Sequence, residues 1–200
     1  MKPVQHARHL WIAFLLTLSL AACAKPFDMS GERLTPLGPE WGVVIGSVLV
    51  KTVKQADESG KSRDAADMTY EFEIVQSSPG DPDGESPYAE RYRLDSKPGE
   101  ERVFISRLRT GRYLIRAFAQ DRLAGKGGDL DLVFDCMAGE VRYLGRLLVE
   151  IPQRVSRGKE FRYVVENAGE ETLKKVAGQH PELAKQAVDA PMRSREQPVP

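Results

Sequence analysis

Hydrophobic and polar positions alternate with a period of two through the middle of this chain. Met68, Tyr70, Phe72 and Ile74 interleave with Thr69, Glu71 and Glu73, the pattern of a strand with one face in a core and one in solvent. Before it, "WGVVIGSVLVKTV" from Trp41 is apolar and rich in β-branched residues, which also favours a strand. Turn residues punctuate the runs at Ser59-Gly60, "SSPGDPDGES", Lys97-Pro98-Gly99, Thr110-Gly111, "GKGG" and Ala138-Gly139. The pattern predicts strands near 42–53, 68–76, 88–94, 101–107, 111–120, 129–135, 140–151 and 160–166. Several short strands with turns at this spacing imply a mainly β chain folded as a β-sandwich over residues 41–166.

The period changes only near the C-terminus. Asn167 stands three residues before Glu170, and Leu173, Val176 and Ala177 follow at helical spacing. His180-Pro181 then reads as cap and first turn of a short helix carrying Leu183, Ala184, Ala187 and Val188. A helical segment over 167–188 is therefore expected. In the strand from Glu140, Val141, Tyr143, Leu147 and Val149 share one parity, while Arg142, Leu144, Arg146 and Leu148 share the other. Leucines on both imply that the second face is covered, and the C-terminal helix is the expected cover.

The N-terminus follows a third pattern. Lys2 and Arg8 open the chain without an acid, and "LWIAFLLTLSL" runs from Leu10 to Leu20. This is a basic start and an apolar stretch of secretory-signal length, short of the ~20 residues that span a bilayer. Leu20, Ala21, Ala22 and Cys23 resemble the lipobox of bacterial lipoproteins. That resemblance implies that residues 1–22 are a signal peptide cut between Ala22 and Cys23. Cys23 would then carry a diacylglyceryl group on sulfur and an acyl chain, such as palmitate, on its amine. Each buried methylene contributes ~0.8 kcal/mol and two lipid signals already hold a protein stably, so three chains imply permanent attachment to a membrane. By the sorting rule of enteric lipoproteins, Ala24 in place of Asp implies the outer membrane, facing the periplasm.

Two further stretches resemble a known fold. "ISRLRTGRYLIRAFA", Ile105 to Ala119, is similar to the L-x-x-G-x-Y-x-L segment of transthyretin-like (prealbumin-like) β-sandwich modules. "FDCMAGEVRYLGRLLVEI", Phe134 to Ile151, resembles a hairpin of uncharacterised bacterial lipoproteins with that fold. The resemblance implies a transthyretin-like β-sandwich with a short C-terminal helix, with Tyr113 and Tyr143 in its core. It brings no catalytic residues.

Composition narrows the function classes. Loss of Lys2 and Arg8 takes the 29 basic residues to 27, against 29 acids, so the mature chain has no net attraction for nucleic acid. With Cys23 lipidated, Cys136 has no partner for an intrachain disulfide. Residues 23–40, rich in Pro, Gly and charge, read as a lipidated tether; the 17 residues Ala24–Glu40 would reach roughly 60 Å at full extension. Residues 189–200, "DAPMRSREQPVP", read as a disordered tail.

Candidate chemistry is sparse. "ESGKS", Glu58 to Ser62, ends like a phosphate-binding loop, but Gln55 stands where that loop needs glycine, and a hairpin turn is the better reading. "DPDGE", Asp81 to Glu85, clusters oxygens as calcium loops do but lacks the later bidentate glutamate. Asp129, Asp131 and Asp135 could complete a site only if the fold joined the loops. Cys136 or a serine with His180 could form a nucleophile and base, the requirement of a small envelope hydrolase. Arg107, Arg109, Arg112, Arg116, Arg142 and Arg146 lie on or beside strands expected to be neighbours. Arginine suits the binding of carboxylates and phosphates, so these six are the candidate contact surface for a partner, with Glu71, Glu73, Glu90 and Glu150 as acids that could neutralise them. The sequence thus implies a membrane-anchored, non-enzymatic binding or assembly module with an envelope protein as partner, and no cofactor, metal or nucleic acid; an envelope hydrolase or metal-dependent enzyme is the alternative.

Overall fold

The computed structural model describes residues 24–31, 38–54, 65, 68–120, 127–153 and 161–195. The strands are β1 (Lys25–Pro26), β2 (Trp41–Val53), β3 (Tyr70–Ser77), β4 (Arg91–Ser96), β5 (Glu101–Arg109), β6 (Gly111–Gln120), β7 (Gly127–Cys136), β8 (Val141–Pro152), β9 (Arg162–Glu166), β10 (Ala187–Asp189) and β11 (Arg193–Ser194), with helices α1 (Gly169–Ala177) and α2 (Pro181–Gln186) before β10. All eight strands expected from the alternation are present. The leader, the Ala22-Cys23 junction and the Glu58–Ser62 turn lie outside the described residues.

Two mixed sheets pack face to face. The first has the order β1-β4-β3-β6-β7-β11; the second has β10-β8-β2-β5, with β9 also paired to β8. β2 and β8 run parallel down the middle of the second sheet. Between the sheets, Phe72, Phe104, Phe118, Tyr113 and Phe134 form an aromatic centre, with Tyr113 and Phe134 stacked at 5.4 Å.

The second sheet is buried on both faces. Val43, Ile45, Ile105, Val141 and Tyr143 point away from the central core and are covered by Val176, Leu173, Leu183 and Ala184 of the two helices. A helical cover was expected over the face of Arg142, Leu144, Arg146 and Leu148; the helices cover Val141 and Tyr143, of the other parity, before Gly145, and Arg146, of the expected parity, after it. Gly145 is the reason: its φ of +87° makes a bulge opposite the Ile45–Ser47 step of β2. One extra residue reverses the alternation, so Leu144 and Leu147 both enter the central core while Arg146 joins Tyr143 on the outer face. Tyr113 and Tyr143 are both buried, as the resemblance implied, but in different clusters. A similar irregularity at Arg116 lets Ile115 and Phe118, three residues apart, both face inward.

The helices differ in detail from expectation. Ala168, not Asn167, occupies the cap position of α1, and the Asn167 side chain accepts from the Gly169 N–H one step earlier. His180 caps α2 by position with Pro181 at its start, but its ring turns away to the Ser30 carbonyl at 2.9 Å. Val188, expected in the helix, lies in β10 and is exposed.

Both presumed tails are attached for part of their length. Phe27, within the expected tether, is 1% exposed and lies between the sheets against Tyr92, Phe104 and Phe134 at 5.1–6.3 Å. β1 pairs with the edge strand β4 of the first sheet. Three residues past β1 the Met29 N–H donates to the Ile105 carbonyl of β5, the edge of the second sheet. Residues 25–29 therefore form a strap that closes the open side of the sandwich. The expected disordered tail is likewise fixed as far as Arg195: Met192 is buried, and β11 pairs with β7.

Candidate functional site

The chain passes between the sheets at one end of the sandwich, through the β5–β6 turn at Thr110 and the β7–β8 turn at Met137–Glu140. Gly42 permits this closure, since a Cβ there would sit 2.2 Å from the Met137 carbonyl oxygen. The start of β2 lies here, with Gly139 N–H donating to Trp41 O and Thr110 N–H to Glu40 O. The β3–β4 loop, the start of β4 and the paired strap β1 complete this end. A depression of ≈ 820 Å³ opens in it, bordered by Pro79, Pro82, Arg112, Cys136, Met137 and Arg142.

The six arginines are distributed over both sheets. Arg107 and Arg109, on the outer face of the second sheet, lie over the Trp41 ring at 4.8 and 5.5 Å. A guanidinium over an indole face is attracted by the ring quadrupole, by ~0.5–1 kcal/mol at exposed sites. Arg112 is on the first sheet, paired with Asp135 at 2.9 Å; Arg193 holds the other carboxylate oxygen at 2.8 Å. Burial raises the Asp135 pKa, but these two guanidiniums outweigh it and hold it below the usual range. Arg142 borders the depression, bound to Glu140 and to the Asp135 carbonyl. Arg116 lies at the β6 irregularity. Thus Arg107, Arg109, Arg112 and Arg142 share one end, while Arg116 and Arg146 do not.

Arg146 belongs to a separate cluster beneath α1. It reaches Glu101 at 2.7 Å, Glu171 at 2.6 Å and Glu166 at 3.7 Å. Glu101 also accepts from Lys175 and from the buried Ser47 hydroxyl. Burial alone would raise the Glu101 pKa, but the bonds from Lys175, Ser47 and Arg146 prevail and lower it to about 2. Every charge in this cluster has a partner, so its chemistry is that of a clamp joining α1 to the sheet. Of the acids expected near the arginines, Glu71 and Glu73 pair with Arg93 and Arg91, and Glu90 with Lys25.

Cys136 and His180 are committed to different neighbours. The buried Cys136 thiol donates to the Leu108 carbonyl at 3.6 Å, and burial pushes its pKa up to about 11. A nucleophilic thiol needs the opposite shift. His180 instead bonds to the Ser30 carbonyl, one residue past the strap. The acidic loops do come together, around Arg195, which pairs with Asp83 and donates its N–H to the Asp131 carbonyl. Asp81 caps its own loop by accepting from the Glu85 and Ser86 N–H groups at 2.8 Å. Gly84 lies directly over Val75, so this loop covers the outer apolar patch of Val75, Leu114 and Val133. Among the described residues no group of three or more His, Cys, Asp or Glu side chains could hold a metal ion. No described helix is long and apolar enough to cross a membrane.

Sequence reasoning missed Phe27 and Trp41. A lone aromatic in a polar, proline-bearing stretch was the available signal for the first. For the second it was a tryptophan opening a strand whose partner carries two arginines. No family model, curated protein or solved structure matches the chain.

Proposed function

We propose that this protein is a lipid-anchored lipoprotein of the bacterial cell envelope, held at the periplasmic face of the outer membrane through Cys23, and that it acts as a non-enzymatic binding or assembly module. Its two-sheet domain is read as a transthyretin-like sandwich on the strength of the Ile105–Ala119 and Phe134–Ile151 segments. The observation that carries the anchoring is the lipobox Leu20-Ala21-Ala22-Cys23 behind a basic start and a short apolar run. The strap supports it, because the first described strand starts at Lys25, two residues after the cysteine. The mechanism is colocalisation: acyl chains confine the domain to a surface and raise its effective concentration for neighbours. A protonated, buried Cys136 and a His180 engaged elsewhere favour this reading over a hydrolase.

Proximity crosslinking in intact envelopes tests the proposal by comparing the native chain with Cys23→Ser. The expected result is a specific envelope protein recovered only with the lipidated form. Equal recovery from both forms, or no partner from either, would count against an anchored assembly module.

A further inference from the structure

We infer that the end of the sandwich carrying Tyr88, Met137 and Trp41 rests on the lipid head groups, so that the domain is held in one orientation instead of swinging on a tether. The inference rests on the lipid-anchor reading and adds which face meets the membrane. Lys25 is fixed opposite Tyr92, with its ammonium over the Tyr92 ring at 5.8 Å and within 3.5 Å of Glu90. Because β1 runs parallel to β4, the chain before Lys25 leaves at the end where β4 begins. Cys23 is two residues away, at most ~7 Å of chain. The head-group layer on each side of a bilayer is about 5–8 Å thick. A domain docked at Lys25 therefore has no room to leave the surface on which Cys23 is anchored.

The side chains at that end suit a lipid interface. Tyr88 is 93% exposed and Met137 42% exposed, and Trp41 carries Arg107 and Arg109 against its ring. Tyrosine and tryptophan favour the head-group level, where an apolar ring and a polar edge are both satisfied. Lys25, Arg112 and Arg142 lie at the same end, but Glu90, Asp135 and Glu140 pair with them. The contact thus rests on amphipathic side chains, to which Arg107 and Arg109 add positive charge beside the Trp41 ring. Of the other exposed large apolar residues described, Val188 lies on β10 beside Arg142, while Tyr163 and Val164 of β9 lie toward the far end: Val164 pairs with Leu148, which is opposite Leu49. Leu49 is eight residues beyond Trp41 on β2, about 26 Å along the strand.

The test uses the full, processed chain in vesicles of phosphatidylethanolamine and phosphatidylglycerol containing head-group nitroxide lipid. A fluorophore is placed in turn at Tyr88→Cys, Met137→Cys and Val164→Cys, all exposed positions. Flotation of the vesicles reads the anchor separately. The expected result is that the protein floats and loses emission at positions 88 and 137 while emission at 164 is retained. A floating protein with equal quenching at all three, or with emission retained at 88 and 137, overturns the orientation alone and leaves that end to a protein partner or a second copy. A protein that does not float overturns both the anchor and the orientation.

Discussion

Phe27→Ala should destabilise the whole sandwich, although the residue lies in a segment whose composition reads as linker. The Phe27 ring is buried among Tyr92, Phe104 and Phe134, which come from both sheets. Those neighbours are fixed by their own strand ladders, so the space left by the ring cannot collapse fully. Truncating a buried Phe to Ala costs about 3–5 kcal/mol. The change also weakens the docking of the strap, whose Phe27 and Met29 N–H groups bond to Arg93 and Ile105. Domain stabilities are typically about 5–15 kcal/mol, so the loss is a large fraction of the total. At about 2–4 °C per kcal/mol for a chain of this size, Tm should fall by about 6–20 °C. Urea and thermal unfolding of the purified protein in mild detergent, followed by far-UV circular dichroism, measure this. Tyr88→Ala, at an exposed site, should change stability by no more than about 0.5 kcal/mol. A Phe27→Ala loss below about 1 kcal/mol would refute the strap as part of the core, and with it the close tie between anchor and domain.

Further predictions follow from the clusters. Glu101 has a folded pKa of about 2, below its ordinary value, so it stabilises the fold above the ordinary carboxylate range and that contribution disappears as pH falls toward 2. Glu101→Gln should therefore be less stable than wild type at pH 7 by about 2 kcal/mol and show a flatter loss of stability between about pH 4.5 and 2 in urea titrations. Gly145→Ala should destabilise by about 1–3 kcal/mol, because φ is +87° and the new Cβ would lie 2.9 Å from Val165 Cγ1 and 3.0 Å from the Glu166 carbonyl oxygen; equal unfolding midpoints would contradict the bulge. A maleimide probe should leave Cys136 unmodified in the native protein at pH 7–8 and react once it is unfolded in urea, since burial holds the thiol neutral.

The long strands were legible because burial of one or both faces writes a period of two, and Gly, Pro, Asn and Asp mark the turns. Features that depend on one residue were not legible. Gly145 reads as an ordinary glycine in a strand, yet its bulge exchanges the faces of β8 and puts Tyr143 on the same helix-covered face as Arg146. The short strands β1, β10 and β11 exist only by pairing with distant partners, and two or three residues carry no periodicity. The arginine-rich segments were visible, but the sequence could not reveal that Thr110 moves the chain from one sheet to the other and so separates Arg107 and Arg109 from Arg112 and Arg116. Strand neighbours in sequence need not be neighbours in a sheet.

The central claim is that the domain is tied to a membrane at Cys23. Mass spectrometry of the intact protein extracted from membranes addresses it most directly. The account predicts a chain beginning at Cys23, with the added mass of a diacylglyceryl group and one further acyl chain. A chain that retains residues 1–22, or one that starts elsewhere without acyl mass, would contradict it.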